Sequence, residues 1–127
     1  MTPLELLGHA QHLLDESSGA TVGNSARLAA MMGRQALEQY VRARCAELNV
    51  DYDGRSMRTR LLILRSLDDV DNADRLASLW SQLSACCHQH AYELSPTVTE
   101  VRALCEGVID SIAPRVTLST PSPKTPA

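Results

Sequence analysis

The chain has 127 residues, 44% of them hydrophobic, with one Trp, three Tyr and no Phe. That length fits one domain able to bury a core without disulfides or a structural metal, and the Leu-, Ala-, Val- and Met-based packing favours helices over a strand-built fold. The formal charge of −3 conceals an asymmetry, since residues 27–65 carry eight Arg against four acids and residues 66–113 two Arg against eight acids. Such a split either draws an anionic partner to one side or lets basic and acidic helices complement each other inside a bundle or across a dimer.

The first helix is signalled by Thr2 as a cap, Pro3 at the first helical position and Glu5 three residues after Thr2. Leu6, Leu7, Ala10, Leu13 and Leu14 give it an apolar stripe. The run Ser17–Asn24, which holds two Gly, breaks it. A long second helix is expected over 25–48, burying Leu28, Met32, Leu37, Tyr40 or Val41, and Leu48, with Ala29, Ala36 and Cys45 allowing close approach. Gly33 is its weak point, at a cost of about 1 kcal/mol relative to Ala if that face is exposed. Residues 49–54 form a turn-rich break, with Val50 and Tyr52 as candidates to tuck back onto the bundle.

A third helix over 56–67 is apolar on more than one side through Met57, Leu61, Leu62 and Leu64, which suits a helix wedged between others. Asp68, Asp69, Asp71 and Asn72 make a capping cluster for a fourth helix over 73–92, whose stripe is Leu76, Leu79, Trp80, Leu83, Cys87, His90, Ala91 and Leu94. Ser95, Pro96 and Thr97 stop it, and either Pro96 or Thr97 with Glu100 starts a fifth helix carrying Val101, Leu104, Cys105, Val108 and Ile112. Four of the six prolines follow Ile112. The expected fold is therefore an all-α antiparallel bundle of about five helices over 1–113, with a disordered Pro-rich tail over 114–127.

The four Cys residues, 45, 86, 87 and 105, contain no C-x-x-C pair and read as reduced thiols of an intracellular protein. No run approaches the length of a membrane span and no signal peptide is evident, so the expected location is cytoplasmic, away from membrane.

The stretch Cys86-Cys87-His88-Gln89-His90-Ala91-Tyr92 carries the chemistry. With the fourth-helix stripe centred near Leu83, His90 falls close to the centre, Cys86 and Cys87 flank it, and His88 and Tyr92 point away. Three readings compete. In the first, His90 is a hydrogen-bonded core histidine and the thiols are small hydrophobes. In the second, Cys86 and His90 grip a metal with Cys45, Cys105 or His88, although only two such ligands share a face. In the third, His90 serves as general acid or base with Tyr92 as a polar helper in phosphodiester cleavage, which also needs an Arg beside the phosphate.

The same place resembles the HEPN superfamily, small helical bundles common in prokaryotic toxin–antitoxin and phage-defence systems, many of them metal-independent ribonucleases acting as homodimers. Their mark is an Arg, four to six variable residues and a His, continuing in one large branch as His-x-Tyr before a short break and an apolar final helix. Here His90-Ala91-Tyr92, the break at Ser95-Pro96, and Val101, Leu104 and Val108 match that pattern. The stretch 83–94 further resembles a family of actinobacterial proteins loosely associated with this group. The motif Arg falls on Ala85, and counting back from His88 covers Ser81, Gln82 and Leu83. Arg75 lies roughly 22 Å along the helix from His90 at 1.5 Å per residue.

The resemblance thus implies His90 in proton transfer with Tyr92 and His88 supporting. The phosphate-binding guanidinium would come from Arg34, Arg58, Arg60 or Arg65 on neighbouring helices, or from a partner subunit. It implies no metal and no cofactor, a homodimer, RNA as a ligand, and a protein partner such as an antitoxin or a larger defence protein. An endoribonuclease is implied if such an Arg completes the site; the alternative is a non-catalytic homodimeric interaction module.

Overall fold

The structure, a computed structural model, describes the backbone of residues 1–16, 22–50, 55–88 and 96–119, and the side chains of 1–16, 24–50, 55–88 and 96–114. Its elements are α1 (Pro3–Glu16), α2 (Val22–Glu47), α3 (Met57–Leu67), α4 (Val70–Cys87) and α5 (Val98–Ser119). No strand occurs among the described residues, so the all-α bundle expected from composition is the fold.

Each start has a local chemical cause. Thr2 Oγ1 accepts from the Glu5 amide at 3.1 Å while Glu5 Oε2 accepts from the Thr2 amide at 3.2 Å, a reciprocal capping box. Ser56 caps α3 by accepting from Thr59 N at 3.1 Å. Asp69 caps α4 through Asp71 N and Asn72 N at 3.0 and 3.1 Å, so the helix begins at Val70, three residues before the expected start. Thr97 accepts from Glu100 N at 3.0 Å at the head of α5. Helix α2 ends in a Schellman motif: Asn49 takes φ 60, its N–H bonds Ala46 O, and the Val50 N–H reaches back to Cys45 O. Val50 packs against the core as expected; Tyr52 lies outside the described residues.

Helix α2 packs on all four other helices. Its inner face is built from small residues, Ala26, Ala29, Ala30 and Ala36, with Leu37, Tyr40, Val41 and Cys45, all buried. Leu28, expected inside, is 48% exposed because the alanine row occupies the contact face. Helix α3 packs against α2 and α4 and leaves one side exposed. Leu61 and Leu64 are buried while Leu62 is 59% exposed.

At Gly33 a Cβ would stand 3.0 Å from Cys105 Sγ and 3.6 Å from a Leu83 methyl. The glycine lets α4 and α5 approach α2 and is not the exposed weak point its composition suggested. Arg44 ties the far end of α2 to the α3–α4 corner, with Nε and Nη2 donating to Asp68 at 3.0 and 3.2 Å and Nη1 to Glu47 at 2.8 Å. The hydrogen bonds it donates to Asp68, and then to Glu47, hold this guanidinium more firmly charged.

Two ends differ from the sequence pattern. Helix α4 stops at Cys87, where His88 turns to φ −75, ψ 136 as its C-cap and donates its amide to Ala85 O at 3.3 Å. The helix expected over 73–92 is thus interrupted at His88, and its last part, 89–92, lies outside the described residues. Helix α5 continues through Pro114 to Ser119, past the expected boundary, although an interior proline lacks an N–H to donate and crowds the carbonyl four residues back. Residues 120–127 lie outside the described ones.

Two substitutions test this packing in opposite directions. Gly8→Ala, where an added Cβ meets nothing within 4 Å, is expected to raise stability by about 0.5–1 kcal/mol through helix propensity. Gly33→Val is expected to cost about 1–3 kcal/mol by overpacking. Urea denaturation measures both, and a Gly33→Val chain as stable as wild type would contradict the close approach.

Candidate functional site

One face of α2 carries Arg27, Arg34 and Glu38, and one face of α4 carries Trp80, Ser84 and Cys87, at spacings that align side chains along a helix. The two faces meet antiparallel. Glu38 Oε1 accepts from Trp80 Nε1 at 3.1 Å and from Arg34 Nε at 2.9 Å. The Arg34 guanidinium carbon lies 5.6 Å from the Trp80 ring centroid, within cation–π range. At the other end Arg34 and Arg27 both act electrostatically on Cys87.

Arg34 of α2 is thus held on one edge by a carboxylate and on one face by an indole, beside the last turns of α4 just before His88. The hydrogen bond to Glu38 holds it more firmly charged, against the opposing effect of partial burial. That contact uses Nε, so the carboxylate does not consume both terminal amino groups. Met31, Arg34, Gln35, Glu38, Gln39, Arg42 and Cys87 line an open groove of about 500 Å³ along this face, within the size range of ligand clefts. Two polar atoms nearby, Arg27 Nε and Ser84 Oγ, are shielded from solvent and lack a hydrogen-bond partner among the described residues. Unused hydrogen-bonding capacity of this kind is rare in native structures.

The sequence-derived candidates separate in space. His88 is exposed at the end of α4. His90 and Tyr92 lie outside the described residues. Arg34 stands beside Cys87. Arg58 is exposed on α3, Arg65 is paired with Asp74 at 2.8 Å, and Arg60 is 8% exposed, shielded from an external phosphate. Ala85, the position of the motif Arg, is exposed. Glu38 was absent from the sequence reading. The Arg34–Glu38 spacing of four was visible there, but their shared partner Trp80, 42 residues on, was not.

The thiols behave as hydrophobes more than as nucleophiles. Burial pushes Cys86 and Cys105 up to about 11, with Glu100 adding to the effect at Cys86. Burial also raises Cys87, against the opposing pull of Arg34. Among the described residues no three His, Cys, Asp or Glu side chains are grouped to hold a metal ion.

The raised thiols give a pH signature. A group more easily deprotonated when unfolded stabilises the fold below its unfolded pKa, and that contribution is lost as pH climbs to the folded value. For Cys86 and Cys105 the window runs from 9.0 to about 11. Unfolding free energy should fall across it by an amount on the order of 1–3 kcal/mol per thiol, and Cys86→Ala/Cys105→Ala should flatten the slope. Parallel profiles for the two chains would refute the assignment. No family model matches the chain, and comparison with curated proteins and with solved structures gives no match.

Proposed function

We propose that this chain is an HEPN-like helical domain of a prokaryotic defence or toxin–antitoxin system, a homodimer that engages the backbone of RNA at the α2–α4 face and cleaves it without a metal. The observation carrying the reading is the position of Arg34, delivered by α2 to the end of α4, beside Cys87 and one residue before the His88–Tyr92 segment begins. A ribonuclease of this kind needs a guanidinium at the phosphate, and Ala85 cannot supply it. Arg34 takes that role, with Glu38 and Trp80 fixing its direction so that little side-chain freedom is lost on binding. His90 transfers the proton and Tyr92 and His88 support it, as the resemblance implies. Leu28 and Met31, 48% and 52% exposed, sit on α2 beside the groove, and a second copy laid there would bury both.

A second reading, a non-catalytic homodimeric interaction module, is favoured by the carboxylate of Glu38, which offsets the charge Arg34 presents. Cleavage of a labelled RNA oligonucleotide separates the two. The proposal expects metal-independent cleavage, reduced about 100-fold or more by His90→Ala and by a similar factor by Arg34→Ala. Equal rates in wild type and His90→Ala would sink the ribonuclease assignment. A dimer by light scattering that leaves RNA intact would favour the interaction module.

A further inference from the structure

The groove beside Arg34 has a far end that proton transfer at the end of α4 leaves unused. Arg34, Glu38 and Arg42 form one ridge of α2 at intervals of four residues, and Met31, Gln35 and Gln39 form the ridge beside it. Both ridges line the same cleft. Arg42 is exposed and has neither a hydrogen bond nor an ion pair among the described residues. A Glu four residues ahead of an Arg is the favourable order for a helix ion pair. Glu38 is nevertheless turned toward α4, with Oε1 shared between Arg34 and Trp80. The acid among the lining residues is thus committed at the Arg34 end, which leaves the Arg42 donors free.

Spacing decides what can use both cations. Arg34 and Arg42 are eight residues apart, roughly 12 Å along the helix at 1.5 Å per residue. Arg34 is held over the Trp80 ring, and Arg42 would have to lean across the Glu38 carboxylate to share its phosphate. A ligand with phosphates in series spans the gap without either movement. Gln35 and Gln39 stand between the two arginines and make no hydrogen bond among the described residues. Their amides both donate and accept, which suits sugar hydroxyls and base edges. An acidic helix would also answer the arginines, but it needs a row of apolar seats, and of the lining residues Met31 and Cys87 alone are apolar. A cleft of about 500 Å³ admits a stretch of one strand, whose bases are open to contact, and excludes a paired duplex.

We infer that Arg42 is a second phosphate contact, so that the α2 groove takes a single-stranded segment of RNA lying along the helix. One phosphate sits at Arg34 and a later one at Arg42, with Gln35 and Gln39 against the nucleotides between. The inference rests on the reading of Arg34 as the phosphate-binding group. The probe is fluorescein-labelled hexauridylate with 2′-O-methyl groups, which block attack by the 2′-oxygen and keep the strand intact while anisotropy is measured. Arg42→Gln should weaken its binding about tenfold. The fall of log affinity with log salt should become shallower by about 0.7, the share of one phosphate on a single strand, and Arg42→Lys should restore that slope. Uridylyl-uridine, with a single internucleotide phosphate, should bind wild type and Arg42→Gln equally. Hexauridylate bound with the same affinity and salt slope by wild type and Arg42→Gln, yet more weakly by Arg34→Ala, would overturn this inference alone. Equal affinity for a paired duplex would do the same. Wild type that binds no RNA would overturn the Arg34 reading together with it.

Discussion

The bundle depends on the close approach of α4 and α5 to the middle of α2, where Gly33 makes room for the Cys105 thiol and the Leu83 side chain. On either side Ala26, Ala29, Ala30 and Ala36 are buried and keep that face of the helix small. A sequence with no Phe and one Trp has little bulk for its core, and close backbone packing preserves density where large side chains are missing. The thiols of Cys45 and Cys105 fit that scheme as small hydrophobes, each turned toward a backbone carbonyl.

That approach also builds the candidate site. With α2 and α4 held antiparallel at Gly33, residues on the adjacent face come into register: Glu38 with Trp80, and Arg34 and Arg27 with Cys87. Trp80 belongs to two surfaces at once. Arg34 lies over its ring, and its side chain also lines a cleft between α3 and α4 with Leu62 and Ala77.

The elements were legible because their causes are local. The Thr2–Glu5 box, the Ser56 cap and the aspartate cluster ahead of α4 all act within a few residues, and each marks its helix start to within three positions. Inward and outward positions on α4 also followed from periodicity: Leu83 and Cys86 are buried and His88 is exposed. Leu28 and Leu62 did not follow, because periodicity cannot say which of two apolar neighbours a particular partner helix covers. The end of α4 was misplaced for a different reason. An apolar stripe continues on paper through Leu94, whereas the backbone leaves the helix at His88. The Arg34–Glu38–Trp80 cluster is tertiary, and only the spacing of its first two members was present in the sequence.

We propose that Arg34, fixed by Glu38 and Trp80, is the group that meets an RNA phosphate. The most direct measurement is nitrogen-edited NMR of the Arg34 Nε–H during titration with a short RNA oligonucleotide. This resonance and the Trp80 indole N–H are expected to shift together and saturate at one RNA concentration. An Arg34 resonance that stays fixed while RNA saturates the protein elsewhere would contradict it.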